Sequence, residues 1–230
     1  MDTTLRTLVD LRDRTLQKSR IAFSNRASAI ERGADESNPE ADAIIQRWFQ
    51  RFNELEAEAD RDIAQLARHE PIIERMTELK GIGYLLAAKT VAMIDIERAA
   101  TVSALWRYAG YGVTDGQRDR PVKGTKLPYN VRLKTTLYLI GTSFMRCESP
   151  YRAIYDEARE YYELNRPDWT KAHRHQAAMR KMIKVFLSHL WLEWRTLENL
   201  QTRDLWVMDY GGHTHYRQPQ EFGWPAENAK

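Results

Sequence analysis

The residues best suited to chemistry cluster around a short turn. Met76 to Met93 reads MTELKGIGYLLAAKTVAM, with Leu79 ahead of Gly81-Ile82-Gly83 and a helix opening at Tyr84 behind it. Both glycines permit positive φ and let the backbone come close to a partner. Ile82 between them would plug the turn into a core. The unpaired N–H groups at the start of the second helix would then face outward, where the helix dipole favours a phosphate. Lys80 and Lys89 add charge beside that nest. The pattern fits a helix-hairpin-helix element, which reads backbone rather than bases. It also fits a tight helix–helix turn.

Other reactive side chains are spaced less productively. His173-Arg174-His175 and His213-Thr214-His215 are two His-x-His pairs. Side chains two positions apart on a helix point ~200° apart, so His173 and His175 cannot chelate together there, whereas His213 and His215 could if extended. No metal and no other cofactor is expected. Asp95, Asp115, Asp119 and Asp209 lack a spacing that argues for two-metal catalysis and suit caps and loops. Trp106, Trp191 and Trp194 sit in apolar periodicity and are expected in the core. Trp169, Trp206 and Trp224 could stack on bases, though packing onto a core is the favoured role.

Charge separates along the chain. Residues 1–75 hold twelve Lys and Arg against fifteen Asp and Glu, while the whole chain carries +3. The basic part therefore lies beyond residue 75. It is densest from Thr101 to Arg146, including Arg118, Arg120, Lys123 and Lys126, and again at Lys171, Arg174, Arg180, Lys181 and Lys184. Such segregation suggests a polyanion-binding part joined to an acidic helical part. The single cysteine, Cys147, excludes a disulfide framework and a Cys-ligated zinc finger within the chain. No run approaches the ~18 apolar residues of a spanning helix, and the opening segment carries acidic residues where a signal peptide needs an apolar stretch. A cytoplasmic, membrane-free location is expected, nucleoid-associated if DNA is bound.

These groups must be positioned by helices. A stripe from Leu5 to Phe23, the polar break at 33–40, and a second stripe from Ile44 to Leu66 predict a helical hairpin over residues 1–70, coiled-coil-like and a candidate surface for homo-oligomers. Asn38-Pro39 should start the second helix. Residues 71–200 predict a helical module. In it Thr101 and Ser103 are candidate caps, 110–127 is a loop or irregular hairpin, Pro128 opens one helix and Ser149-Pro150 the next. A long helix then runs from about Asp168 to about Leu200, with Met179, Ile183, Phe186, Leu187, Leu190 and Trp194 on its packing face and cations on the other. Residues 201–230 are expected to form an irregular strap over the core.

KGIGYLLAAKTVAMIDIERAATVSALWRYAGYG resembles the C-terminal module of bridge-RNA-guided insertion-sequence transposases and Piv-type DNA invertases, most specifically in Gly81-Ile82-Gly83 followed by Tyr108-Ala109-Gly110. The resemblance is weaker through KGTKLPYNVRLKTTLYLIG and WTKAHRHQAAMRKMIKVFLSHLW, and spans about residues 72–195. It implies a mainly α, helix-hairpin-helix, DNA-binding module. Two departures count against recombination by this chain. Residues 1–75 are too short and too helical to be the family's RuvC-like domain. The serine nucleophile that the family carries after Tyr-Ala-Gly is also missing. Between Leu105 and Thr142 there is no serine, and Thr114 and Thr125 are the only aliphatic hydroxyls in that loop; threonine is hindered and needs its own activation.

The expectation is therefore a mainly α protein that binds DNA, duplex first and RNA as an alternative, through phosphates and with limited sequence preference. Lys80, Gly81, Gly83, Tyr84, Lys89, Arg118, Arg120, Lys123, Lys126, Lys171, Arg174, Lys181 and Lys184 are the candidate contacts. Catalytic residues are not expected, Thr114 being a weak candidate. Alternatives are a transposase component acting with a separate RuvC-like subunit or a guide RNA, and an assembly protein that has lost nucleic acid.

Overall fold

A computed structural model of the chain describes residues 3–114, 116–118, 123–202 and 217–226. Arg120, Asp115, Asp119, Trp206, Asp209, His213 and His215 lie outside these. The fold is mainly α, and the chain divides into two compact units, Met1–Glu70 and Pro71–Lys230. No described helix is long and apolar enough to cross a membrane.

In the first unit α1 (Thr3–Leu11), a π-helical turn (Arg12–Leu16) and α2 (Gln17–Glu31) follow one another without a break. Helix α3 (Pro39–Ala67) returns alongside them. It starts where the sequence predicts: the Asn38 side-chain oxygen accepts the N–H groups of Glu40 and Ala41, and Pro39 occupies the first turn. The pairing is antiparallel, since Phe23 stacks on Phe52, Arg20 reaches Glu56 and Arg12 reaches Asp60. Apolar burial is thin. Leu5, Val9 and Leu16 face Ala59, Ile63 and Ala67 as the buried set, and α2 contributes no buried residue at all. Charge fills the gap: buried Arg12 contacts Glu56 at 2.6 Å, Asp60 at 2.7 Å and Asp13 at 3.2 Å. Burial alone would lower the Arg12 guanidinium; the hydrogen bond and charge of Asp60, with Glu56 and Asp13, outweigh it and hold it raised.

The second unit contains α4 (Pro71–Thr77), α5 (Tyr84–Ala92), α6 (Val102–Tyr108), the two-residue strands β1 (Val113–Thr114) and β2 (Gln117–Arg118), α7 (Val131–Arg146), α8 (Arg152–Asn165) and α9 (Lys171–Leu197). A 3₁₀ turn follows at Pro219–Phe222. Helix α9 is the hub, packed against α4, α6, α7 and α8. All six residues of its predicted apolar stripe are buried. Phe144 stacks on Tyr151 at 4.8 Å, and the Phe186 ring meets both edge-on. Trp191 donates its indole N–H to Ala99 O, and buried Arg195 donates to the carbonyls of Ile96, Ala99 and Gln201.

Helix starts depart from the sequence reading where another group reached the end first. α7 begins at Val131, not Pro128, because Asn130 accepts the Leu133 N–H. α8 begins at Arg152 without a side-chain cap, and the buried Ser149 hydroxyl lacks a partner among the described residues. Thr101, rather than Ser103, caps α6, and Thr170 caps α9. The 110–127 region contains an irregular hairpin, pairing Val113 with Arg118 and Thr114 with Gln117.

Part of the expected strap is described. Phe222 and Trp224 are buried against the aromatic core, Phe222 stacking on Tyr151 at 4.6 Å. The Trp224 indole N–H donates to the Tyr151 oxygen at 2.7 Å, which lies 2.6 Å from His189 Nδ1. The phenol therefore sends its proton to Nδ1, and His189 Nε2–H donates to Arg217 O at 3.0 Å. Burial lowers the His189 pKa to about 4, against the opposing bond to Arg217, and keeps the ring neutral.

Candidate nucleic-acid interface

The turn between α4 and α5 is held from both sides. Leu79 and Ile82 are buried, and their N–H groups donate to Met76 O and Leu79 O. Gly81 has φ +105°, and a Cβ there would lie 3.3 Å from both Ser143 oxygens. The Ser143 hydroxyl in turn donates to Gly81 O at 2.6 Å. Glycine is required here by dihedral and by contact.

Gly83 corrects the expectation of two positive φ angles. It sits at φ −100°, ψ 170°, as the cap residue of α5, and its carbonyl accepts the Ala87 N–H. A cap residue is extended by nature, so no left-handed backbone is needed. A Cβ at Gly83 would meet nothing within 4 Å, so the backbone at the start of α5 is open to approach. Lys80 beside it is exposed, while Tyr84 and Lys89 are half-buried and engaged within the chain.

The Tyr108-Ala109-Gly110 segment is tied down at several points. Tyr108 donates its hydroxyl to Met93 O and accepts from the Asn130 side chain. Arg180 spans from α9 to the carbonyls of Gly110, Tyr111 and Gly112 at 3.3, 2.6 and 2.6 Å. One guanidinium thus fixes the entrance to the basic loop, in which Lys123 and Lys126 are exposed. Arg118 pairs through its backbone in β2, and Thr114 does so in β1.

The cationic face of α9 splits in two. Lys171 and Lys181 are exposed. Arg174 is half-buried, with its Nε lacking a partner among the described residues. Lys184 lies 3.8 Å from the centroid of the Trp106 ring, whose N–H donates to Lys184 O. Burial, and then neighbouring Arg180, lower the Lys184 pKa to about 8. Arg180 and Lys184 therefore serve the fold at this face. Sequence periodicity put them among the surface cations because it carries no information on Trp106 and Gly110, both about seventy residues away.

A half-open cavity of ≈ 320 Å³ lies between α7 and α9, lined by Tyr111, Lys134, Thr135, Tyr138, Gln176, Met179, Arg180 and Ile183. The sequence reading missed it. Its only trace was the polar and aromatic set Thr135 and Tyr138, off the stripe of Leu133, Leu137, Ile140 and Phe144 that packs inward. Lys134 at its edge sits 4.3 Å over the Tyr129 ring.

Electrostatically, Lys80, Lys123, Lys126, Lys171 and Lys181 have no carboxylate partner among the described residues. Arg75, Arg152, Arg159 and Arg217 of the same unit each pair with a glutamate. No three described His, Cys, Asp or Glu side chains gather as metal ligands. His173 stacks on Trp169 at 4.0 Å, and His175 bonds the Tyr155 hydroxyl at 2.7 Å. No known family, curated protein or solved structure matches the chain.

Proposed function

We propose that this chain binds nucleic acid through the phosphate backbone, duplex DNA first, with limited sequence preference. The observation that carries the reading is the set of exposed lysines, Lys80, Lys123, Lys126, Lys171 and Lys181, which have no carboxylate partner among the described residues. Positive charge that folding does not neutralise is what a polyanion surface requires. The open backbone at Gly83, next to Lys80, supports it with amide donors at the start of α5. The resemblance to transposase modules supports nucleic-acid binding; RNA stays the alternative, since the same residues suit either backbone and the enzymes of that family use a guide RNA.

Salt-titrated binding tests it. Each phosphate neutralised contributes a slope of about −0.9 in log K against log salt. Replacing Lys123 and Lys126 by alanine should make the slope shallower by up to ~2 units, equally on unrelated duplexes. Lys171→Ala with Lys181→Ala should act likewise if α9 shares the surface. Slopes unchanged in both variants sink the proposal and leave an assembly role. A nicking assay with divalent metal addresses recombination: Thr114→Ala should change nothing, and a covalent DNA adduct abolished by it would make the chain an enzyme.

A further inference from the structure

The outer face of α3 leaves apolar residues in water. Ile44, Trp48 and Leu55 are 44, 40 and 46% exposed, and their spacing of four and seven puts them on one stripe. Helix α2 packs along α3 through Phe23 on Phe52 and Arg20 on Glu56, which leaves Ile44, Trp48 and Leu55 exposed. Arg51 lies over the Trp48 ring at 5.5 Å, at the middle of the stripe.

Charges beside the stripe follow a heptad: Glu40, Arg47, Glu54 and Arg61, all exposed, alternate in sign every seven residues. None of the four has an ion-pair partner among the described residues, whereas Arg12, Arg14, Arg20 and Arg26 of the same unit all do. Arg12 and Arg20 reach buried Glu56 between the helices, and this row is left over.

We infer that α3 is a homodimer surface on which a second copy of the chain packs antiparallel. In an antiparallel register that sets Ile44 against Leu55 and Trp48 against Arg51 of the second copy, the flanking row meets itself reversed. Arg47 then faces Glu54, and Glu40 faces Arg61. The two-fold axis repeats each pair, giving four opposite-sign contacts from one row. A parallel pairing would bring the flanking charges against Phe52 and Ala59 instead, with no charge gain. Two hairpins joined in this way form a four-helix assembly, with the stripe inside it.

Size-exclusion chromatography with light scattering on the full chain, across the micromolar range, reads the outcome. The chain should run as a dimer. Arg47→Glu should raise the dimer Kd roughly ten-fold, two like-charge contacts replacing two attractive ones. The charge swap Arg47→Glu with Glu54→Arg should restore it. Both positions are exposed, and circular dichroism confirms that each variant is folded. A monomer throughout the range overturns the inference. So does a dimer indifferent to Arg47→Glu and to Leu55→Glu, and failure of the swap to rescue overturns the antiparallel register.

Discussion

Between Arg12 and Glu56 the N-terminal unit buries charge; between Phe144 and Phe186 the C-terminal unit buries rings. The first has two layers of helix, which enclose little volume, so long arginine stems and their carboxylates fill a space that a third layer would have made apolar. The second has α9 surrounded on several sides, and the large polar side chains of its core find partners there: Trp191 on Ala99, Tyr151 on His189. Cation supply follows from this. The hairpin uses its inward arginines for cohesion, and the helical module, held by dispersion and burial, keeps lysines to spare.

The contrast can be broken by substitution. Phe186→Ala in the ring cluster should cost about 3–5 kcal/mol, read by denaturant unfolding of near-ultraviolet signals. A loss near 1 kcal/mol would mean that the rings are not the second unit's cohesion. The aromatic unit should also be the acid-sensitive one at His189. Its folded pKa, lowered to about 4, lies below the unfolded value near 6.5. The stability it carries is therefore complete above pH 6.5 and lost as pH falls towards 4, by roughly 3 kcal/mol at most. His189→Gln should flatten that part of the stability–pH curve, and an unchanged curve would count against a neutral buried imidazole.

In the hairpin, Arg12→Met should cost about 2–3 kcal/mol, less than a fully buried pair because Asp60 is partly exposed. Replacing Arg12 and Glu56 together by apolar residues should recover most of this. Full loss in both variants would argue for shape rather than charge. The finest effect lies in the turn. Gly81→Ala should cost about 1–2 kcal/mol through its left-handed φ and the Ser143 contact, against about 0.5 kcal/mol for Gly83→Ala. Equal thermal shifts would contradict the different roles of the two glycines.

How much of this was legible depended on distance along the chain. The start of α3 was written locally in Asn38-Pro39, and the α9 packing face in a spacing of three and four, so both could be read. The Gly81 turn was legible as a turn; which glycine bends was settled by Ser143, sixty-two residues away. Arg180 and Lys184 looked like surface charge because Gly110, Tyr111 and Trp106, which engage them, arrive from another helix and loop. For the proposed interface, net charge was readable from composition. Which cations stay unpaired depends on contacts such as Arg75 with Glu193, 118 residues apart, which spacing along the chain does not reveal.

The late position of Phe222 and Trp224 has a consequence in time. During synthesis at about 5–20 residues per second, the hairpin is complete roughly 150 residues before Trp224 is made, an interval on the order of ten to thirty seconds. Tyr151 and His189 are made only in its second half and then lack the ring that closes over them until Trp224 follows, whereas the hairpin lies within the first seventy residues. The hairpin is thus free to meet another nascent hairpin on the same message while the aromatic core is still open. Pairing of chains would then precede maturation of the module that each of them carries.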